Sequence, residues 1–311
     1  MSAGKSAPDG AAATQPRSAR WLDLAAILIC TLAWGTTWFA ITLQLGVVDP
    51  VVSIAYRFAL AAGLLFAWCV LRRESLALTR TQHRAAFGVG LFTFAIDYAF
   101  VYWAEERVSS AVVAVVFAAM AFFNLIAFRL AFGQRALLAA WGAAGLGVVG
   151  VAILSWDEIV TAHMGVRALL GIGLTLAAVI GAAIGNVFAR RGELAGASVA
   201  GSTAWAMAYG AVLLAAFALA TGKTWAFEAS WSYVLSLLHL SLNGSVIAFL
   251  LYYGLARRRG YATASYISAL TPPVAMAVSS LFEEKTWGLL AFGAIALVLA
   301  GQVLLLRTRR S

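Results

Sequence analysis

Apolar residues in this chain come in long unbroken runs, unlike the one-sided stripe of a soluble helix or the alternation of a half-buried strand. Ten runs stand out, roughly residues 22–43, 51–71, 85–104, 108–128, 136–155, 168–189, 199–220, 232–254, 261–282 and 286–306. About 20 apolar residues cross the hydrocarbon of a bilayer as a helix, and a helix satisfies its own backbone amides where no water can. The pattern predicts an all-α integral membrane protein with ten transmembrane helices. The connections are short, about 4 to 14 residues, which leaves no room for a soluble catalytic domain. Residues 1–21 are rich in Ala, Ser, Pro and Gly and carry no apolar core. They are expected to form a disordered cytoplasmic tail and not a cleaved signal peptide.

Composition agrees with the pattern. The chain has 311 residues, 63% hydrophobic and 11% charged, with a mean hydropathy of +0.89. A soluble domain carries about 25% charged residues. The net charge of +9 raises nucleic acid as a partner, but the basic residues sit in short clusters between apolar runs, so a bilayer is expected instead. One alternate set of connections and ends holds Lys5, Arg17, Arg20, Arg72, Arg73, Arg80, Arg84, Arg129, Arg135, Arg190, Arg191, Arg257, Arg258, Arg259, Arg307, Arg309 and Arg310. The other set holds only Arg107, Arg167, Lys223 and Lys285. Cytoplasmic loops keep Lys and Arg, so both termini are expected inside, including the basic tail at 307–311. The two cysteines, Cys30 and Cys69, fall within apolar runs and imply neither a disulfide framework nor a metal cluster.

Sliding the chain against itself by about 150 residues sets Gly35 with Trp38 on Gly185 with Phe188, Tyr102 on Tyr253 and Ala111 on Ala262. Five helices per half would invert the second half, and such repeats hold a solute at their interface near the midplane.

The residues Trp34-Gly35-Thr36-Thr37-Trp38-Phe39, Tyr56-Arg57-Phe58, and Thr271-Pro272-Pro273 followed by Glu283-Glu284 resemble the drug/metabolite transporter superfamily, specifically its EamA-type ten-helix carriers. The resemblance runs from about residue 22 to 306, with residues 22–155 and 165–306 as the two EamA-type repeats. The abundant membrane aromatics are most similar to those of the YddG-type aromatic amino acid exporters. The resemblance implies a basket of ten helices around a central cavity, working in a bacterial inner membrane to export aromatic amino acids or related metabolites. A multidrug or cationic-compound exporter is the alternative. No cofactor is implied, the partners are a small-molecule substrate and the lipid bilayer, and a monomer suffices. The first repeat has Ala121-Phe122 where the second has Pro272-Pro273, so helix 4 is expected to be straighter than helix 9.

Several side chains are candidates for the solute site. A charge inside the membrane costs about 2.5 to 3.5 kcal/mol on insertion scales, so Arg57 and Asp97 need a partner or a role. Counted at 1.5 Å per residue, both lie about 9 to 10 Å from the outer ends of their helices. Three readings stand: Arg57 docks a carboxylate while Asp97 binds an amino group or a proton, the two pair with each other to close the bundle, or Arg57 snorkels to the outer headgroups. His239 is a proton-coupling candidate or a plain interhelical hydrogen-bonding group. Asn186, one residue after Gly181-x-x-x-Gly185, either binds substrate or serves helix packing. Trp34, Trp38, Tyr98 and Tyr102 are expected to face the cavity, where a ring solute gains about 0.5 to 1.5 kcal/mol per aromatic pair beyond burial. Pro272-Pro273 remove two backbone donors within a helix and are expected to kink it, as a hinge or as a fixed bend.

An enzyme is not expected. Three scattered histidines and no His-Glu-x-x-His offer neither an activated nucleophile nor a metal, and no Gly-x-x-x-x-Gly-Lys-Ser/Thr loop cradles a nucleotide. A channel would need a continuous polar pore, which this aromatic, apolar midplane does not supply.

Overall fold

The computed structural model describes residues 17–161, 165–284 and 286–307, and among these every regular element is helical. Most of the expected tails at 1–21 and 307–311, and Lys285, lie outside the described residues. The helices run α1 (Arg17–Thr42), α2 (Pro50–Leu71), α3 (Arg80–Glu105), α4 in two pieces (Ser110–Phe117 and Met120–Phe132), and α5 (Leu138–Thr161). There follow α6 (Gly165–Leu194), α7 (Val199–Ala220), α8 (Trp231–Arg259), α9 (Tyr261–Phe282) and α10 (Leu289–Arg307). Among the described residues seven helices are long and apolar enough to cross a membrane, and the two-piece α4 makes an eighth. α5 and α10 carry shorter apolar stretches, Leu138–Ile153 and Leu289–Gly301.

Short polar segments start and stop these rods. Asp49 accepts a hydrogen bond from Val51 N at 2.9 Å, with Pro50 opening α2, and Thr79 with Gln82 closes a reciprocal cap at the start of α3. Ser198 accepts from Gly201 N at the start of α7 and Ser230 from Tyr233 N at the start of α8. Gly133 ends α4 at φ 66°, a conformation that favours glycine.

The rods pack as neighbours in a definite pattern: α2 along α7, α5 along α10, α1 against α8 and α9, and α6 against α3 and α4. The pair α5 and α10 is held close by glycines. A Cβ at Gly150 would meet Ala294 O at 2.5 Å, and one at Gly301 would meet Ala143 O at 2.5 Å. Connections gather at two ends. Asp23 pairs with Arg258 at 3.0 Å and with Arg259, and Gln82 donates to Ala195 O at 2.8 Å, all at the Arg-rich end. At the far end Lys223 pairs with Asp49 at 3.0 Å, and Ser110 donates to Glu283 Oε2 at 2.7 Å.

One expectation about helix shape is corrected. α4, without the prolines, is the helix that breaks: it bends by 40° between its pieces. Ala118 N and Ala119 N bond three residues back, to Val115 O at 2.9 Å and Val116 O at 3.0 Å, so the turn tightens to 3₁₀ at a pair of small residues. α9 carries Pro272 and Pro273 inside the helix from Tyr266 to Phe282. Pro272 cannot bond the carbonyl of Ser268, and the Thr271 hydroxyl donates to that carbonyl at 2.9 Å in its place.

Both cysteines are buried, and Cys30 Sγ donates to Ala248 O at 3.4 Å. A charged, membrane-impermeant maleimide should therefore leave both thiols unmodified until the protein is denatured. Mass spectrometry of the intact chain reads the result, and labelling of folded protein would contradict this packing.

Candidate functional site

Two long π-helical stretches interrupt the α-helices, Gly90–Asp97 within α3 and Leu242–Ile247 within α8. Such stretches are rare and cluster at functional sites, because the extra residue per turn re-aims side chains and frees backbone groups. Each is crossed closely by the first helix of a half. A Cβ at Gly185 in α6 would sit 1.8 Å from Thr93 Oγ1, and one at Gly244 in α8 would sit 2.4 Å from Thr37 Cγ2 in α1. Gly181 and Gly185 thus act as the close-approach pair that their spacing suggested. Trp34 Nε1 donates to Gly244 O at 3.1 Å, which anchors α1 onto the second π stretch.

Between these crossings lies an aromatic-lined cavity. Its walls come from α1 (Trp34, Thr37, Trp38, Ile41), α3 (Thr93, Asp97, Tyr98, Val101), α4 (Phe117, Met120), α6 (Ala182, Asn186), α8 (Phe249, Tyr252) and α9 (Ser268, Thr271). The bend in α4 falls between two of these residues, Phe117 and Met120. The rings are mutually packed: Trp34 lies 5.3 Å from both Phe249 and Tyr252, and Trp38 lies 4.9 Å from Phe117. Asn186 donates to Asn124 Oδ1 at 3.1 Å and to the Tyr252 hydroxyl at 3.0 Å, and Asn124 donates onward to Ser265 Oγ at 2.7 Å. This polar knot ties α4, α6, α8 and α9 together beside the cavity.

Of the residues expected at the site, Trp34, Trp38, Asp97, Tyr98 and Asn186 line the cavity together. Arg57, Tyr102 and His239 are not among its lining residues. Arg57 is fully buried behind Tyr98: its Nε donates to Ser245 Oγ at 3.1 Å, its Nη2 to the Tyr98 hydroxyl at 3.4 Å, and its Cζ lies 4.4 Å from the Tyr98 ring centroid. No ion pair joins Arg57 to Asp97 among the described residues, although the two act on each other through space. Asp97 is 4% exposed and its Oδ1 has no hydrogen-bond partner, nor does the indole N–H of the buried Trp38.

Tyr102 is fully buried and donates to Gln44 Oε1 at 2.8 Å, linking α3 to the end of α1. His239 has both ring nitrogens engaged. The Thr36 hydroxyl gives its proton to the α1 backbone, so His239 Nε2–H donates to Thr36 at 3.1 Å, while Nδ1 accepts from Asn243 Nδ2 at 3.0 Å. Pro272 and Pro273 follow directly after Thr271 on the wall.

Sequence reasoning missed Ser245 as the partner of Arg57, Asn124 as the partner of Asn186, and Thr37, Thr93, Ser268 and Thr271 as wall hydroxyls. A signal was present for the first: Asn243-Gly244-Ser245 is a polar, small break in the middle of an apolar run.

Comparison with known proteins agrees with this architecture. The signature of the EamA-like transporter family matches twice, over residues 21–156 and 169–307. The chain is 29% identical to the uncharacterized inner membrane transporter YedA of Escherichia coli strain K12 over 280 residues, covering 90% of this chain and 89% of that one. It is 32% identical to the protein PagO of Salmonella typhimurium strain LT2 over 36% of each chain. It is 24% identical to a probable amino-acid metabolite efflux pump of Escherichia coli strain K12, over 87% of this chain and 90% of that one. A solved crystal structure superposes with a TM-score of 0.71 at 19% identity, covering 96% of this chain and all of the other, a likeness of fold. With two family matches spanning most of its length around one shared cavity, the chain belongs to the EamA-like transporter family of the drug/metabolite transporter superfamily and is a membrane transporter.

Proposed function

We propose that this transporter is a secondary carrier that exports small ring-bearing amphoteric metabolites, aromatic amino acids foremost, by alternating access through the cavity at Asp97. One observation carries the reading: in an aromatic-walled cavity, the Asp97 carboxylate oxygen and the Trp38 indole N–H are buried without a protein partner. An unsatisfied buried polar group costs about 1–3 kcal/mol, a cost that a solute amine and a solute carboxylate or carbonyl would offset. Trp34, Trp38, Tyr98 and Phe249 supply ring faces and edges for the rest of the solute. The relative named as a probable amino-acid metabolite efflux pump is consistent with this solute class.

The working arrangement is ten spans in two inverted halves, residues 22–155 and 165–306, in a bacterial inner membrane with both termini cytoplasmic. Exchanging the halves turns the contact of α1 with α9 into that of α6 with α4, and the contact of α1 with α8 into that of α6 with α3. The pairs α2 with α7 and α5 with α10 map onto themselves, as a two-fold relation requires. Positive loops at one end supply the orientation.

A cationic amine is the second reading, because Asp97 is the only charged residue in the lining described. Counterflow in reconstituted vesicles separates the two, with labelled phenylalanine and its decarboxylated analogue phenethylamine. Phenylalanine exchange in the wild type should fall at least about tenfold in Asp97→Asn, the equivalent of one charge-assisted hydrogen bond. Circular dichroism of the same vesicles checks that the variant is folded. Phenethylamine flux without phenylalanine flux selects the cationic reading, and undiminished exchange by Asp97→Asn removes the carboxylate from the site.

A further inference from the structure

A second carboxylate lies buried in the far-end half of the bundle, outside the cavity. Glu105 ends α3, is 7% exposed, and neither of its oxygens has a hydrogen-bond partner. It stands on the stripe of α3 that carries Tyr98 and Tyr102, at spacings of four and three residues, so these three side chains share one helical face. That face also holds Arg57 through Tyr98 and Gln44 through Tyr102. Two cations whose bonds reach the residues beside Glu105 are engaged elsewhere: Arg107 bonds Trp103 O and pairs with Glu106 at 3.2 Å, and Arg167 donates to Glu106 O at 2.6 Å. The charged groups that act on Glu105 are Arg57 of α2 and Glu283 at the end of α9, and Glu283 accepts from Ser110 at 2.7 Å.

The charge count then decides its state. Among the described residues Arg57 is the one fully buried cation, and it also acts on Asp97. One cation cannot neutralise two buried carboxylates, and Glu283 adds repulsion where Glu105 sits. A lone ionised carboxylate in a low-dielectric interior takes up a proton sooner than stay charged. A metal cation is a poor alternative, since no other described side-chain oxygen bonds either oxygen of Glu105 and no metal-ligating cluster occurs among the described residues.

We propose that Glu105 is a proton-binding site: it holds a proton as a neutral acid in the closed arrangement and releases it to water when the far end opens beside Ser110 and Glu283. The step is an acid dissociation, with the electron pair kept on the carboxylate and the proton given to solvent. Its use for driving the carrier rests on the transport reading above; the site itself does not.

The full-length protein in lipid vesicles tests it by infrared spectroscopy, which separates the C=O stretch of a neutral carboxylic acid from the carboxylate bands. At neutral pH the wild type and Asp97→Asn should both show an acid band that vanishes reversibly as the pH is raised. Glu105→Gln should lack that component and Glu105→Asp should keep it at a shifted position, so that the conservative variant decides the matter if the amide variant does not fold. An acid band that is unchanged in Glu105→Gln, or none in the wild type at neutral pH, overturns the proposal. In the same vesicles, acceleration of labelled phenylalanine uptake by an imposed pH gradient should be lost in Glu105→Gln. Wild-type vesicles that carry no phenylalanine would sink the substrate reading and leave the infrared comparison to decide this one.

Discussion

Arg57→Met should destabilise the folded protein more than any single change at the cavity wall, because it removes the fully buried cation that acts on Asp97 together with two hydrogen bonds from a charged group, each worth about 1.5–3 kcal/mol. Arg57 is fully buried, with Ser245 on its Nε, Tyr98 on its Nη2 and the Phe58 and Tyr98 rings beside its Cζ. Methionine keeps most of the volume, so the loss reports charge and hydrogen bonding more than packing. Lysine should not rescue it, because a single ammonium cannot bond Ser245 and Tyr98 together while lying flat on a ring. Adding Asp97→Asn to Arg57→Met should recover a large part of the stability, since the stranded carboxylate is then gone. The apparent melting temperature of detergent-solubilised protein, followed by the monodisperse fraction after heating, measures the three variants and the wild type. Equal melting of Arg57→Met and wild type would show that Asp97 does not depend on this cation, and would remove the charge count from which Glu105 is argued to be neutral.

The same pair shows where the sequence was legible. That Arg57 and Asp97 lie at similar depth follows from counting residues along apolar runs, and the run boundaries lie within a few residues of most of the observed helices. Hydrophobic length is a strong signal because a bilayer imposes it on each span separately. Which groups satisfy Arg57 was not legible: Ser245 is 188 residues away and reaches it only because α8 unwinds into a π stretch there. Backbone irregularity of this kind answers to tertiary packing, as does the bend of α4 at Ala118 and Ala119, where no proline marks it. Glu105 escaped for a simpler reason, since the apolar run was ended one residue before it. Of the cavity wall, the aromatics and Asp97 announce themselves by type. Thr37, Thr93, Ser268 and Thr271 do not, because a hydroxyl in a membrane helix usually bonds its own backbone, as Thr37 and Thr271 also do here.

Gly35→Ala should cripple transport and cost about 1–3 kcal/mol, the usual range for overpacking a close helix crossing. Gly35 sits between Trp34 and Thr37 on α1 where that helix meets α9. An added Cβ would lie 2.5 Å from both Cβ and Cγ1 of Val274, directly after Pro272-Pro273. The Cβ of Val274 is fixed to its backbone, so no rotamer relieves the contact and the two helices must part. Their separation moves Trp34 and Trp38 relative to Ser268 and Thr271, which line the same cavity. Because the clash is with the Cβ, Val274→Ala should fail to rescue Gly35→Ala, whereas Val274→Gly should restore folding and flux in part. Gly63→Ala serves as the control: nothing lies within 4 Å of its would-be Cβ, and alanine in a helix gains up to about 1 kcal/mol over glycine. Counterflow and melting temperature of the four variants read the outcome. Rescue by Val274→Ala as complete as by Val274→Gly would show that side-chain bulk, and not the approach of the two backbones, sets the spacing of α1 and α9 on which the cavity depends.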